Sequence, residues 1–203
     1  MSTRMNARIA KWIRIVAALS VTVLSAAAQQ ESLQLDPAHT SVRFTLGDVL
    51  HTVHGSFHLK RGTLQLDPSA KLTGEIVVDA KSGESGNASR DRKMHKEVLE
   101  SERYPEITFR PDRVEGAVVS PGKSSVKVHG IFSIHGVDRE VTVPAEAEIS
   151  ATTWTATVHF TVPYEKWGMK NPSNIFLHVD GTVQIDLTAA GTVVQAGVRD
   201  AAR

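Results

Sequence analysis

From Leu33 onward the chain alternates apolar and polar residues with a period of two, which limits it to strands with one dry face and one wet face. Val42, Phe44 and Leu46 alternate with Arg43 and Thr45; Trp154, Ala156, Val158, Phe160 and Val162 alternate with Thr155, Thr157, His159 and Thr161. The pattern returns at Gly55/Phe57/Leu59, Leu64/Leu66, Leu72/Ile76/Val78, Ile107/Phe109, Val126/Val128, Phe132/Ile134, Val141/Val143, Ile175/Leu177/Val179 and Val183/Ile185/Leu187. Turn signals stand between the runs, among them Asp36-Pro37, Arg61-Gly62, Asp67-Pro68, His135-Gly136 and Asp180-Gly181. This spacing predicts an all-β fold, an antiparallel sandwich or a closed barrel. A barrel of about eight strands either fills with side chains or holds one ligand, and periodicity leaves both open. After Leu187 no dependable period continues, so residues 189–203 are expected to be a poorly ordered tail.

One stretch breaks the alternation. NASRDRKMHKEVLESERYPEITFRP, from Asn87 to Pro111, is dense in charge, offers Asn87 or Ser89 as a helix cap, and puts Met94 and Val98 four residues apart on one face. A short helical segment is predicted near residues 88–101, ended by Tyr104-Pro105 because the residue before proline is pushed out of the α region. Charged outside and apolar inside, it reads as a cap over an open barrel.

The first residues carry Arg4, Arg8, Lys11 and Arg14 ahead of an uncharged run from Ile15 to Ala28. That run is too short for the ~20 residues that span hydrocarbon, and Ala26-Ala27-Ala28 offers a small-residue cleavage site. Residues 1–28 are therefore expected to be a Sec-type signal peptide, and the mature protein periplasmic or secreted. The segment holds four of the 23 Lys and Arg and none of the 22 Asp and Glu, so the remainder has 19 basic against 22 acidic side chains, a formal charge of −3. A mildly acidic domain is a poor partner for nucleic acid, and no later run is apolar enough to span a membrane.

There is no cysteine, which removes disulfides, thiol nucleophiles and thiolate metal sites. His51, His54 and His58 invite a metal reading, but on a strand His51 and His54 face opposite sides, and His54 and His58 lie about 13 Å apart, too far to share an ion bound at ~2.1 Å. His95 with Glu97 and Glu100 lacks the H-E-x-x-H spacing, and no nucleophile elbow or phosphate-binding glycine loop is present. No catalytic residue, metal or cofactor is expected. Arg90, Arg92, Lys93 and Lys96 form a basic cluster that is either a solvated face or a contact for a phosphate or quinone headgroup. Trp154, Trp167 and Phe176 read first as core, with Trp167 kept as a wall candidate.

Taken in order, LDPAHTSVRF (Leu35–Phe44), VHGSF and GTLQLDP (Val53–Pro68), GNASRD with YPEITF (Gly86–Phe109) and IHGVDREVTVP (Ile134–Pro144) resemble the motifs of the YceI-like polyisoprenoid-binding family. The resemblance covers about Leu33 to Leu187. It implies an extended, lipocalin-like antiparallel β-barrel over residues 29–188, with an apolar interior that holds a polyisoprenoid, an isoprenoid quinone or a similar amphipathic lipid, and no enzymatic activity. Candidate ligand-contacting residues are Phe44, Leu46, Phe57, Ile76, Val78, Phe109, Phe132, Ile134, Val158, Phe160 and Trp167. Met94 and Val98 would close over the lipid, and Arg90 and Lys93 are the headgroup candidates. Lys93 stands where the family often has histidine, and Val98-Leu99-Glu100 where it tends to have Asp-Phe-Phe. A ligand-free structural or interaction barrel, an enzyme using His95 or His135 on a small apolar substrate, and a homodimer remain open. Intact mass of the exported protein is expected to show a mature N-terminus at Gln29; an uncut chain would make residues 1–28 a retained anchor.

Overall fold

A computed structural model describes residues 30–47, 52–173 and 178–195. The expected signal peptide, His51, Ile175, Phe176, Leu177 and the last part of the expected tail, residues 196–203, lie outside these residues. In chain order the elements are β1 (Glu31–Leu35), β2 (Ser41–Gly47), β3 (Thr52–Leu66), β4 (Leu72–Glu84), α1 (Ala88–Lys93), β5 (Glu106–Glu115), β6 (Gly122–Ile134), β7 (Val137–Ile149), β8 (Thr153–Val162) and β9 (Val183–Gln195). Every strand pairing is antiparallel, and β9 pairs back onto β1 and β2, so the sheet closes on itself. Among the described residues no helix is long and apolar enough to cross a membrane.

β1 and β2 both lie between β3 and β9, one after the other, and together make a single interrupted stave. The nine strands among the described residues therefore form an eight-stave barrel, as expected. The interruption is the predicted Asp36-Pro37 turn: Asp36 Oδ1 accepts the Ala38 N–H at 2.8 Å, and the Asp36 N–H is held by Ala190 O at 2.8 Å. Arg61-Gly62, by contrast, is not a turn. β3 runs through it with a register shift between Leu59 and Arg61, and this bulge moves the inward positions from odd residues (Val53, Phe57, Leu59) to even ones (Leu64, Leu66). His135-Gly136 makes the expected two-residue hairpin between Ile134 and Val137, with φ of 54° and 71°.

The last strand corrects the expected poorly ordered tail at residues 189–195. β9 continues to Gln195, paired with β8 as far as Thr192 and with β1 from Gly191 to Gln195. The signal was weak because Ala189, Ala190 and Gly191 carry too little side chain to show alternation, although Ala189 is buried inside the barrel. Gly191 is required by the close approach of β1: a Cβ there would lie 1.8 Å from Gln34 O. Gly191→Ala is expected to cost at least ~2 kcal/mol of unfolding free energy, read as a lower midpoint in urea. An unchanged midpoint would mean that β1 does not close against β9.

Candidate functional site

The barrel interior is hollow, and two buried apolar clusters line the hollow toward its two ends. At one end Leu33, Leu35, Leu59, Leu64, Leu66, Leu72, Ile76, Ile149, Trp154 and Ala189 form a buried cluster. At the other, Leu99, Val162, Tyr164 and Met169 are joined by Leu46, Phe57, Met94, Phe132 and Phe160. The hollow is a cavity of about 650 Å³, within the usual range for a small-molecule site.

Its wall is apolar along most of its length, and no His, Asp or Glu is among the described residues that line it. Phe44, Leu46, Phe57, Ile76, Val78, Met94, Val98, Phe109, Phe132, Ile134, Val158 and Phe160 all face it, as read from the sequence. Trp167 does not. Its ring centroid sits 5.9 Å from that of Phe132 and 6.0 Å from the Arg139 guanidinium, and its carbonyl accepts from Arg139 Nη2 at 3.4 Å. It belongs to the segment between β8 and β9 and packs on β6 and β7 through these two residues. Trp154, read first as core, lies on the cavity wall.

The polar lining is concentrated at one mouth, in Ser85, Asn87, Ser89, Arg90 and Lys93. These belong to the cap, which links β4 to β5 across the barrel end. Asn87 is its N-cap: Oδ1 accepts from the N–H groups of Ser89 at 3.0 Å and Arg90 at 3.1 Å. After Lys93 the helix widens into a π turn over Met94–Val98, with the Leu99 N–H donating to Met94 O at 2.9 Å. The wider turn lets both Met94 and Val98 and the following Leu99 reach the cavity. Glu100, at φ 45°, then ends the segment and accepts from the N–H groups of Arg103 and Tyr104.

Both headgroup candidates are engaged in holding the mouth. Arg90 Nε donates to Ser85 Oγ at 2.7 Å and its Nη2 to Ser85 O at 2.8 Å, while Lys93 Nζ donates to Pro172 O at 2.9 Å. Lys93 also lies within electrostatic reach of the Glu97 carboxylate, and both cations stand on the cavity wall. Lys170 makes a second strap to the same loop by donating to Glu97 at 2.6 Å, and this contact holds the exposed Glu97 carboxyl below the usual carboxylate range.

Sequence reasoning missed what His95 of the cap and His135 of the β6–β7 hairpin do. The His95 Nε2–H donates to Gly83 O at 2.8 Å, since a carbonyl can only accept, and Nδ1 accepts from the buried Ser101 hydroxyl at 3.0 Å. His95 is a strut tying the cap to β4. His135 stacks on Tyr104 with centroids 4.6 Å apart. Its Nε2 lies 3.4 Å from Glu100 Oε1, too poorly aligned to count as a hydrogen bond. Neither imidazole lines the cavity. His54 and His58 are exposed, and no group of three His, Asp or Glu able to hold a metal occurs among the described residues.

Tyr164 was also missed. It is 5% exposed, lines the cavity, and donates from its hydroxyl to Asp180 O at 2.7 Å. Burial first, then the charges of Glu165 and Asp180, push its pKa up to about 12. The fold needs the neutral phenol. Its contribution is therefore full below pH 10 and falls as the pH rises toward 12, by roughly 3 kcal/mol in all. Tyr164→Phe is expected to lack this alkaline loss and to be ~1 kcal/mol less stable at neutral pH, measured by urea unfolding across the pH range. The same alkaline slope in both proteins would overturn the assignment.

The model of the YceI-like domain matches residues 33–190. A UPF0312 protein of Vibrio parahaemolyticus is 28% identical over 127 residues, 61% of this chain and 65% of that protein, so the match spans just under two thirds of its length. A UPF0312 protein of Pseudomonas syringae pv. tomato is 28% identical over 135 residues, 63% and 68% of the two chains. Among solved structures, BcnA of Burkholderia cenocepacia superposes with a TM-score of 0.65 at 20% identity, covering 78% of this chain and 99% of that one. A polyisoprenoid binding domain from Saccharophagus degradans gives 0.64 at 15% identity, covering 80% and 98%. At these identities the structures show a common fold.

Proposed function

Because this chain belongs to the YceI-like family, we propose that it is an exported, non-enzymatic binding protein that holds the hydrocarbon chain of an amphipathic lipid, of the polyisoprenoid or isoprenoid quinone class, inside its barrel. The observation that carries this reading is an apolar cavity of about 650 Å³ whose polar lining gathers at the capped mouth. Such a space matches a molecule with a long apolar tail and one polar end. Each buried methylene contributes ~0.8 kcal/mol, and the total is offset by the freedom the ligand loses. The lipid would be a ligand rather than a cofactor, held by a wall that carries no His, Asp or Glu among the described residues. Arg90 and Lys93 would meet the headgroup, and the signal-like N-terminus supports a periplasmic or secreted location.

Native mass spectrometry of the protein purified from the exported fraction, followed by solvent extraction, tests this. A stoichiometric adduct that extracts as a prenyl or quinone lipid is expected. A protein that is empty and also takes up no added polyprenyl lipid would leave the ligand-free interaction barrel as the reading. For the headgroup, Lys93→Met combined with Arg90→Met is expected to weaken a prenyl phosphate about tenfold more than the matching prenol, the worth of one charge-assisted hydrogen bond. Equal losses for both lipids would remove these residues from the headgroup site.

A further inference from the structure

Resting on the reading of the barrel as a holder of a prenyl chain, we infer that Trp154 is the stop that sets the longest chain the cavity accepts. A polar headgroup at the Arg90 and Lys93 mouth sends the tail toward the opposite end, where Trp154 stands on the cavity wall as the second residue of β8. The register shows what the tail meets on the way. One inward layer above the indole, Ala156 is paired with Ala147 of β7 and Ala189 of β9, and all three line the cavity. In the next layer Trp154 is paired with Ile149 and Gly191. The bore thus passes from three neighbouring alanines directly onto the largest side chain available.

The indole is also fixed. It is 4% exposed, and its Nε1–H donates to Gln34 O at 3.3 Å. The Gly191 backbone fits against it so closely that a Cβ there would lie 2.9 Å from Nε1. Turning the ring aside would break that hydrogen bond in a region packed by Leu33, Leu66 and Ile149. A flexible side chain such as Met or Leu would yield to a longer ligand; a pinned tryptophan gives a sharp limit.

The test measures binding of farnesol, geranylgeraniol and longer all-trans polyprenols to the purified chain by native mass spectrometry. Wild type is expected to bind up to a limiting length. Trp154→Ala is expected to move that limit to longer chains and to raise the affinity for the first rejected chain about tenfold, the effect of about two further buried methylenes. Ala156→Leu, which adds bulk one layer above the indole and opens no void, is expected to move the limit to shorter chains. It carries the test by itself if Trp154→Ala does not fold. Wild type that binds no prenyl chain would overturn the reading on which this inference rests. Wild type with a limit that Trp154→Ala or, where that variant does not fold, Ala156→Leu leaves in place would overturn the stop alone.

Discussion

An antiparallel sheet with one apolar face has to cover that face and to pair the backbone groups of its two outer strands. Here both demands are met by the same contact, the return of β9 to the interrupted stave of β1 and β2. Everything inside the barrel depends on it. Closure turns the apolar faces of all the strands toward one axis, and it brings Gln34 against Gly191 so closely that no side chain fits between them. The same approach seats the Trp154 indole, which donates to Gln34. A backbone constraint at the seam therefore shapes the floor of the cavity.

Closure alone does not make a cavity; side-chain size along the bore does. Leucines from β1, β3 and β4 pack one end, and aromatic and branched residues pack the other. On the side of the leucine cluster, alanines of β7, β8 and β9 fall opposite one another on the cavity wall. The outer face contributes little to this. Its ion pairs, such as Lys60 and Arg61 on Glu106, are exposed, and such pairs are typically worth ~0–1 kcal/mol each.

The cap is held by joints rather than by a core of its own. His95 spans from Gly83 to Ser101, Lys93 and Lys170 strap the helix to the 170–172 loop, and Tyr104 packs over His135 and Gly136. These joints account for the motifs that carried the family resemblance. The Gly-Asn-x-x-Arg-Asp segment begins the cap, Tyr-Pro ends it, and His-Gly is the hairpin on which Tyr104 rests. Gly136 has φ of 71°, and a Cβ there would lie 2.4 Å from the Tyr104 ring. Residues distant in sequence share one mechanical joint, and the joint demands particular residue types.

By itself the sequence determined the strands, their inward residues, the helical interruption and the family, because a period of two and a few turn and cap residues act over short range. Phe44, Phe109 and Phe160 were placed on the inner face by this pattern; Trp167, which lies outside every strand, was not. Local pattern also failed where side chains are small, as in β9 beyond Leu187, and where a bulge carries a strand through Arg61-Gly62. Only the tertiary structure decided that the barrel is hollow, that His95 is a strut, and that Ala147, Ala156 and Ala189 are register partners one layer from Trp154. Those facts depend on which residue lies opposite which across the closed sheet, and register is fixed by all the strands together.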